Sequence, residues 1–239
     1  MTKITTQTIQ IFNGKTAIDA YLATTDIPKS SWGIVVVQEI FGVNDHIQDV
    51  TKRFAEQGYA AIAPAIYQRS APGFQVGYDA QGMQLGIQYK EQTTAEQLLG
   101  DIQTAVDYLK TLPYVKKIGI IGFCFGGLVA YLSASLNSID ATASFYGARI
   151  VSFRPGGGEP TIAVTPQIKG KVYAFFGTED PSIPPEHVDQ IEAALTKQNP
   201  ANRVFRYLEA EHGFFCDQRS SYNKKAAEDA WLNVLTLFS

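Results

Sequence analysis

The sequence predicts an α/β fold: a mostly parallel sheet with helices on both faces, opened by an N-terminal antiparallel hairpin. Three observations predict it. Apolar runs of strand length recur along the chain, amphipathic stretches of helix length separate them, and an Asn-Gly pair near the N-terminus lies between two alternating segments.

The hairpin comes first. Residues 8–22 alternate apolar and polar side chains around Asn13-Gly14, a pair that accepts the positive φ angles of a tight hairpin turn. Four short runs, 33–37, 60–63, 117–121 and 172–176, are almost wholly apolar, as strands covered on both faces must be. Residues 141–146 and 204–208 are read as two further strands. Helical patterns fall between them at 45–57, 94–111, 125–136, 184–197 and 222–238. Alternation of this kind implies right-handed crossovers and parallel pairing. Two stretches break the pattern. Residues 67–86, rich in Gly, Gln and aromatic side chains, are read as part of a substrate-covering segment at 67–90, and 154–160 as a loop of strong breakers.

No internal repeat or linker divides the chain, so 1–239 is expected to be one domain. The composition is 45% hydrophobic and 18% charged, enough to bury a substantial core. A net charge of −3, with both signs dispersed, offers no electrostatic footprint for nucleic acid. Neither a signal-like N-terminus nor a run of membrane-spanning length is present, so no membrane association and a cytoplasmic location are expected. Two cysteines, Cys124 and Cys216, fit a reducing compartment and make no disulfide framework. No coiled-coil seam or exposed apolar edge is legible, and a monomer is expected.

Cysteine is by default a small, inert core residue, but the neighbours of Cys124 set it apart. Gly122-Phe123-Cys124-Phe125-Gly126-Gly127 follows the strand at 117–121 and opens the helix at 125–136. A G-x-C-x-G at a strand-to-helix turn holds its central residue in a strained conformation, with glycines where a Cβ would collide, and lifts that side chain clear of the sheet. The sulfur then sits by the first amides of a helix, whose positive end favours a thiolate. The same turn directs the Phe125 amide at the place where a carbonyl oxygen would become an oxyanion.

A thiol used as a nucleophile profits from a neighbouring base. The chain has three histidines. His46 lies near a helix start, where capping or a solvated surface is expected. His187 lies in the first turn of another helix and is expected to face solvent. His212 follows the strand at 204–208, in a loop at the carboxyl edge of the sheet where the crevice of an open α/β fold lies. Asp180 stands just beyond the strand at 172–176 and is placed to orient the imidazole; Glu179 is its adjacent alternative, and Asp180 is preferred. The order Cys124, Asp180, His212 is that of α/β-hydrolases.

With these residues in view, the chain resembles the dienelactone hydrolase family, the carboxymethylenebutenolidases. The resemblance runs through Gln38-Glu39-Ile40-Phe41-Gly42-Val43-Asn44, Ala63-Pro64-Ala65-Ile66-Tyr67, the Cys124 turn, Asp180 and His212-Gly213-Phe214. It implies the α/β-hydrolase fold, hydrolysis of an ester or lactone through a thioester, and neither metal nor organic cofactor. It also implies that Ile40 supplies a second oxyanion N–H and that Glu39 takes part in generating the thiolate when substrate binds.

The chain departs from the family in one respect. Two arginines hold the substrate carboxylate there; at the first place this chain reads Gln81-Gly82-Met83-Gln84-Leu85, and after His212 the nearest arginine is Arg219. Arg69 is a further candidate anion anchor, and Tyr67, Tyr78, Tyr89 and Phe74 are candidates to line an aromatic pocket. Loss of a bidentate arginine implies a less anionic substrate. A broad-range carboxylesterase or thioesterase is the alternative within catalysis; a thiol-sensing or binding protein is the alternative outside it. Cys216 is read as structural.

Overall fold

A computed structural model describes residues 3–239. Strands β1 (Ile4–Asn13) and β2 (Thr16–Thr25) form the N-terminal hairpin, paired antiparallel in register from Ile4↔Thr25 to Asn13↔Thr16. The turn is at Asn13-Gly14 as the alternation predicts, with Gly14 at φ 60°. Then follow β3 (Trp32–Val37), α1 (Asp45–Glu56), β4 (Ala60–Pro64), α2 (Ala80–Lys90), α3 (Ala95–Lys110) and β5 (Lys117–Phe123). The chain continues through α4 (Phe125–Ser133), β6 (Ala141–Phe145), a 3₁₀ segment (Thr161–Gln167), β7 (Lys171–Gly177), α5 (Pro185–Gln198), β8 (Arg203–Tyr207) and α6 (Lys224–Leu237).

The eight strands make one sheet in the order β1-β2-β4-β3-β5-β6-β7-β8. β2 pairs antiparallel with β4, and every later pairing is parallel. All residues of β3, β4 and β6 are buried, which explains their unbroken apolar character: both faces carry helices. Each such Val or Ile contributes about 1.5–3 kcal/mol by leaving water. Helix starts are fixed locally: Asn44, Thr94 and Asn223 accept from the amides of Ile47, Gln97 and Ala226 in α1, α3 and α6.

Parallel strands bring the loops after β3, β5, β6, β7 and β8 to one edge of the sheet, and Glu39, Cys124, Asp180 and His212 all lie on those loops.

The segment at 67–90 is more ordered than its composition suggests, because α2 occupies its second half. The buried positions of α2 are glycines, Gly82 and Gly86. A Cβ on Gly86 would stand 2.4 Å from the Ile40 carbonyl oxygen. The helix backbone thus packs directly on the loop after β3, and the absence of side chains is what permits it. No helix among the described residues is long and apolar enough to cross a membrane.

Candidate active site

Cys124 joins β5 to α4 with φ 55° and ψ −118°, a conformation an L-residue rarely adopts and one that costs about 1–3 kcal/mol. Its surroundings enforce it. The Cys124 amide donates to the Phe145 carbonyl at 3.1 Å. A Cβ on Gly122 would lie 1.9 Å from the Gly126 carbonyl oxygen, and one on Gly126 would lie 2.4 Å from the carbonyl oxygens of Val37 and Gln38. Both glycines are therefore steric requirements of the turn. α4 is buried along its whole length, so the turn rests on a rigid support.

His212 and Asp180 meet across the loops after β8 and β7. Imidazole Nδ1 and Asp180 Oδ2 are 2.7 Å apart, and the carboxylate is also anchored through Oδ1, which accepts from the Ser182 amide at 2.8 Å. The neighbouring Glu179 is exposed and turned to Thr178, so Asp180 is the carboxylate that orients the ring. Burial alone would disfavour the imidazolium. Negative charge on Cys124, together with the Asp180 carboxylate, outweighs burial and pushes the His212 pKa up to about 10.

Glu39 is completely buried, and its Oε1 accepts from Arg219 Nη1 at 3.2 Å. Burial raises its pKa, against the opposing charges of Arg219 and His212. Its second oxygen, Oε2, has no hydrogen-bond partner among the described residues. The Arg219 guanidinium also lies over the rings of Phe41 and Tyr78, at 5.9 and 5.5 Å from their centroids. Tyr78 Oη accepts from Asn44 Nδ2 at 3.1 Å and from the Cys216 thiol at 3.2 Å. Burial pushes the Cys216 thiol up to about 11, so at neutral pH it is a protonated donor held in packing.

Cys124, His212, Arg219, Tyr78, Ile40 and Phe125 line a cavity of about 790 Å³, while Glu39 and Asp180 stand behind its wall. Among the described residues, the amides of Ile40 and Phe125 donate to no backbone or side-chain acceptor. One wall thus carries a sulfur, an imidazole and two N–H groups without acceptors, the chemical parts that acyl transfer calls for.

Five residues fall elsewhere than the sequence suggests. Arg69 does not reach the cavity: its guanidinium binds both carboxylate oxygens of Asp101, which is fully buried and also accepts from Asn13. The ion pair ties the segment after β4 to α3 and the hairpin and directs Arg69 away from the cavity. Tyr67 is buried behind Phe125, their rings stacked at 6.3 Å, and it donates to the Gly86 carbonyl at 3.4 Å. Tyr89 packs edge-on against Phe74 at 4.9 Å. Neither tyrosine borders the cavity, nor does Phe74; Tyr78 does. His46 is no surface residue: it is buried, edge-on to Phe123 at 5.6 Å and to Phe215 at 6.2 Å, and burial lowers its pKa to about 3.

The wall also holds residues that sequence reading passes over: Met83, Ile87 and Lys90 from α2, and Arg149 and Phe153 from the loop after β6. Met83 and Ile87 remain more than a third exposed, an apolar surface consistent with a segment that borders a binding site. Met83, Ile87 and Lys90 recur at helical spacing, but the glycines among them mask the helix, and nothing local marks Arg149.

The sequence profile of the Dienelactone hydrolase family matches residues 18–239. A Synechocystis protein named "Putative carboxymethylenebutenolidase" is 52% identical over 237 residues, covering 98% of this chain and 96% of its own. A Saccharolobus solfataricus protein of the same name is 32% identical over 248 residues, covering 91% of each chain. Among solved structures, a Klebsiella pneumoniae protein titled "Putative Dienelactone Hydrolase" superposes with a TM-score of 0.87 at 27% identity, over 99% of this chain and 98% of that one. With the sheet, the Cys124 turn and these likenesses in agreement, the chain belongs to the dienelactone hydrolase family, ester- and lactone-cleaving hydrolases of the α/β-hydrolase fold.

Proposed function

We propose that this hydrolase works through a Cys124-His212-Asp180 triad and a thioester intermediate. The observation that supports it most directly is the 2.7 Å contact between His212 and Asp180 beside a cysteine held in a strained turn. The reacting form pairs a Cys124 thiolate with the His212 imidazolium. The sulfur attacks the ester or lactone carbonyl, and the oxyanion that forms is held by the amides of Ile40 and Phe125. Collapse forms the thioester and breaks the carbon–oxygen bond, with His212 giving its proton to the leaving oxygen. His212, now neutral, takes a proton from water; the hydroxide adds to the thioester carbonyl, and collapse releases the carboxylic acid and the sulfur.

Glu39 is a reserve base in this scheme. Its unpartnered Oε2 and its dependence on Arg219 mean that a group competing for Arg219 would free the carboxylate to take a proton. The relatives' names suggest an anionic lactone as substrate. A broader carboxylesterase range is the second reading, favoured by the missing arginine at 81–85, the diversion of Arg69 to Asp101, and the exposed apolar wall of Met83 and Ile87.

The test is hydrolysis of a dienelactone and a panel of activated esters and thioesters by the wild type and by Cys124→Ala. Turnover that vanishes in the variant, with a covalent acyl adduct on Cys124 seen by mass spectrometry, supports the scheme. Turnover that survives in Cys124→Ala sinks it. Preference for neutral esters selects the broader reading.

A further inference from the structure

The cavity wall carries an aromatic-cation cluster that the reaction scheme does not use. After β6 the chain turns at Arg149, whose φ of 65° is rare for a residue with a side chain. The turn is closed by the Ser152 and Phe153 amides, which donate to the Arg149 carbonyl at 3.1 and 2.9 Å. This places the Arg149 guanidinium 4.5 Å from the centroid of the Phe153 ring, and Lys90 Nζ, from the end of α2, lies 5.4 Å from the same ring. The loop beyond is fixed, since the Thr161 amide donates to the Phe153 carbonyl and the Ala95 amide to that of Pro155, both at 2.9 Å. Two cations on one anchored ring form a preorganised pole.

Lys90 shares part of its charge with Glu91, 2.8 Å away. Arg149 has no carboxylate partner among the described residues. The other cations on the wall are already engaged, Arg219 by Glu39 and His212 by Asp180, and the one acidic residue on the wall, Glu211, adjoins His212. The cavity is also large, about 790 Å³, within the range of sites for drug-sized ligands. A small lactone bound at Cys124 would leave most of it unfilled.

Resting on the hydrolytic reading above, we propose that Arg149, with Lys90 and Phe153, is a second anion-binding subsite that selects extended substrates: esters whose acyl group runs along the apolar wall and ends in a carboxylate. The anion is thus held away from Arg219, by residues of different elements, and specificity depends on the length of the spacer between ester and carboxylate.

The experiment compares p-nitrophenyl half-esters of linear dicarboxylic acids with p-nitrophenyl alkanoates of the same chain length. For the wild type, the ratio of kcat/KM between anionic and neutral partners should peak at one chain length at about tenfold or more, with the difference carried by KM. Arg149→Gln combined with Lys90→Gln should bring that ratio close to unity, Arg149→Glu should invert it, and Arg203→Gln, an exposed cation at the start of β8, should leave it intact. A ratio near unity at every length in the wild type overturns the proposal, as does a preference that survives the double variant. Cys124-dependent turnover of the neutral esters reports separately on the hydrolytic reading. Should neither series be turned over, calorimetry with the matching dicarboxylic monoamides still decides the subsite: tighter binding than for the neutral amides, lost in the double variant, supports it, and equal binding overturns it.

Discussion

Arg219 Nη1 lies 3.2 Å from Glu39 Oε1, and the two residues are 180 positions apart in the chain. Glu39 has no exposed surface; burial raises its pKa, and this guanidinium is the strongest influence opposing that rise. Their pairing joins the loop after β3 to the loop before α6, and both loops contribute to the cavity wall.

Breaking the pair from one side should cost more than removing it. Arg219→Met leaves a buried carboxylate uncompensated and should destabilise the protein by roughly 3 kcal/mol at pH 8. Without Arg219, burial raises the Glu39 pKa unopposed by its main partner. A carboxyl whose folded pKa is raised binds protons more tightly when folded, so the loss should shrink as the pH falls toward 5. Urea unfolding at the two pH values measures this. The double variant Arg219→Met, Glu39→Gln should recover most of the stability at pH 8.

The charge state of His212 depends on Cys124. Its pKa of about 10 lies above the ordinary 6.5, so the imidazolium form persists through neutral pH and is lost as the pH rises through about 10. Alkylating Cys124 with iodoacetamide leaves a neutral thioether at this position and removes the largest influence that raises the His212 pKa. NMR titration of His212 should show a marked fall after alkylation, and an unchanged titration would mean that Asp180 alone sets it.

The glycines of the Cys124 turn give a steric prediction. Gly126→Ala places a Cβ 2.4 Å from two backbone carbonyl oxygens of the β3 end, and no flexible side chain can yield to it. The turn must open, at a cost of about 2–4 kcal/mol and with the Phe125 amide displaced. Activity should fall by at least about a hundredfold, on the scale of a lost oxyanion donor. Gly73→Ala, whose Cβ meets nothing within 4 Å, controls for an added methyl at another glycine, although its φ of 70° carries strain of its own.

The sequence makes the strands and five helices legible because their burial is written in side chains: β3, β4 and β6 are covered on both faces and carry unbroken apolar runs. The turn at Cys124 is legible for a different reason, since glycine at 122 and 126 marks where backbones touch. That same property hides α2. Its inward positions are Gly82 and Gly86, which reading by propensity scores as loop, whereas here they let a helix backbone lie on the Ile40 carbonyl. Arg69 is misplaced because an arginine near a binding segment is as suited to a buried aspartate as to a substrate anion, and the match with Asp101 lies 32 residues along the chain. Strand order escapes local reading altogether, since β4 comes between β2 and β3 through contacts that no sequence window contains.

His46 supplies an acid-sensitivity test. It packs between Phe123 and Phe215, its Nε2 has no partner, and burial, with Arg53 and Arg219 adding repulsion, lowers its pKa to about 3. The folded protein therefore holds it neutral, while the unfolded chain binds a proton below about pH 6.5. Between those two values the unfolded state carries the extra proton, so stability falls as the pH falls, by about 2 kcal/mol between pH 7 and pH 5. His46→Phe keeps an aromatic ring against Phe123 and cannot titrate. Urea midpoints across this interval should drop less steeply for the variant than for the wild type, by that same amount. Parallel slopes would show that His46 is protonated in the folded state, or that water reaches Nε2.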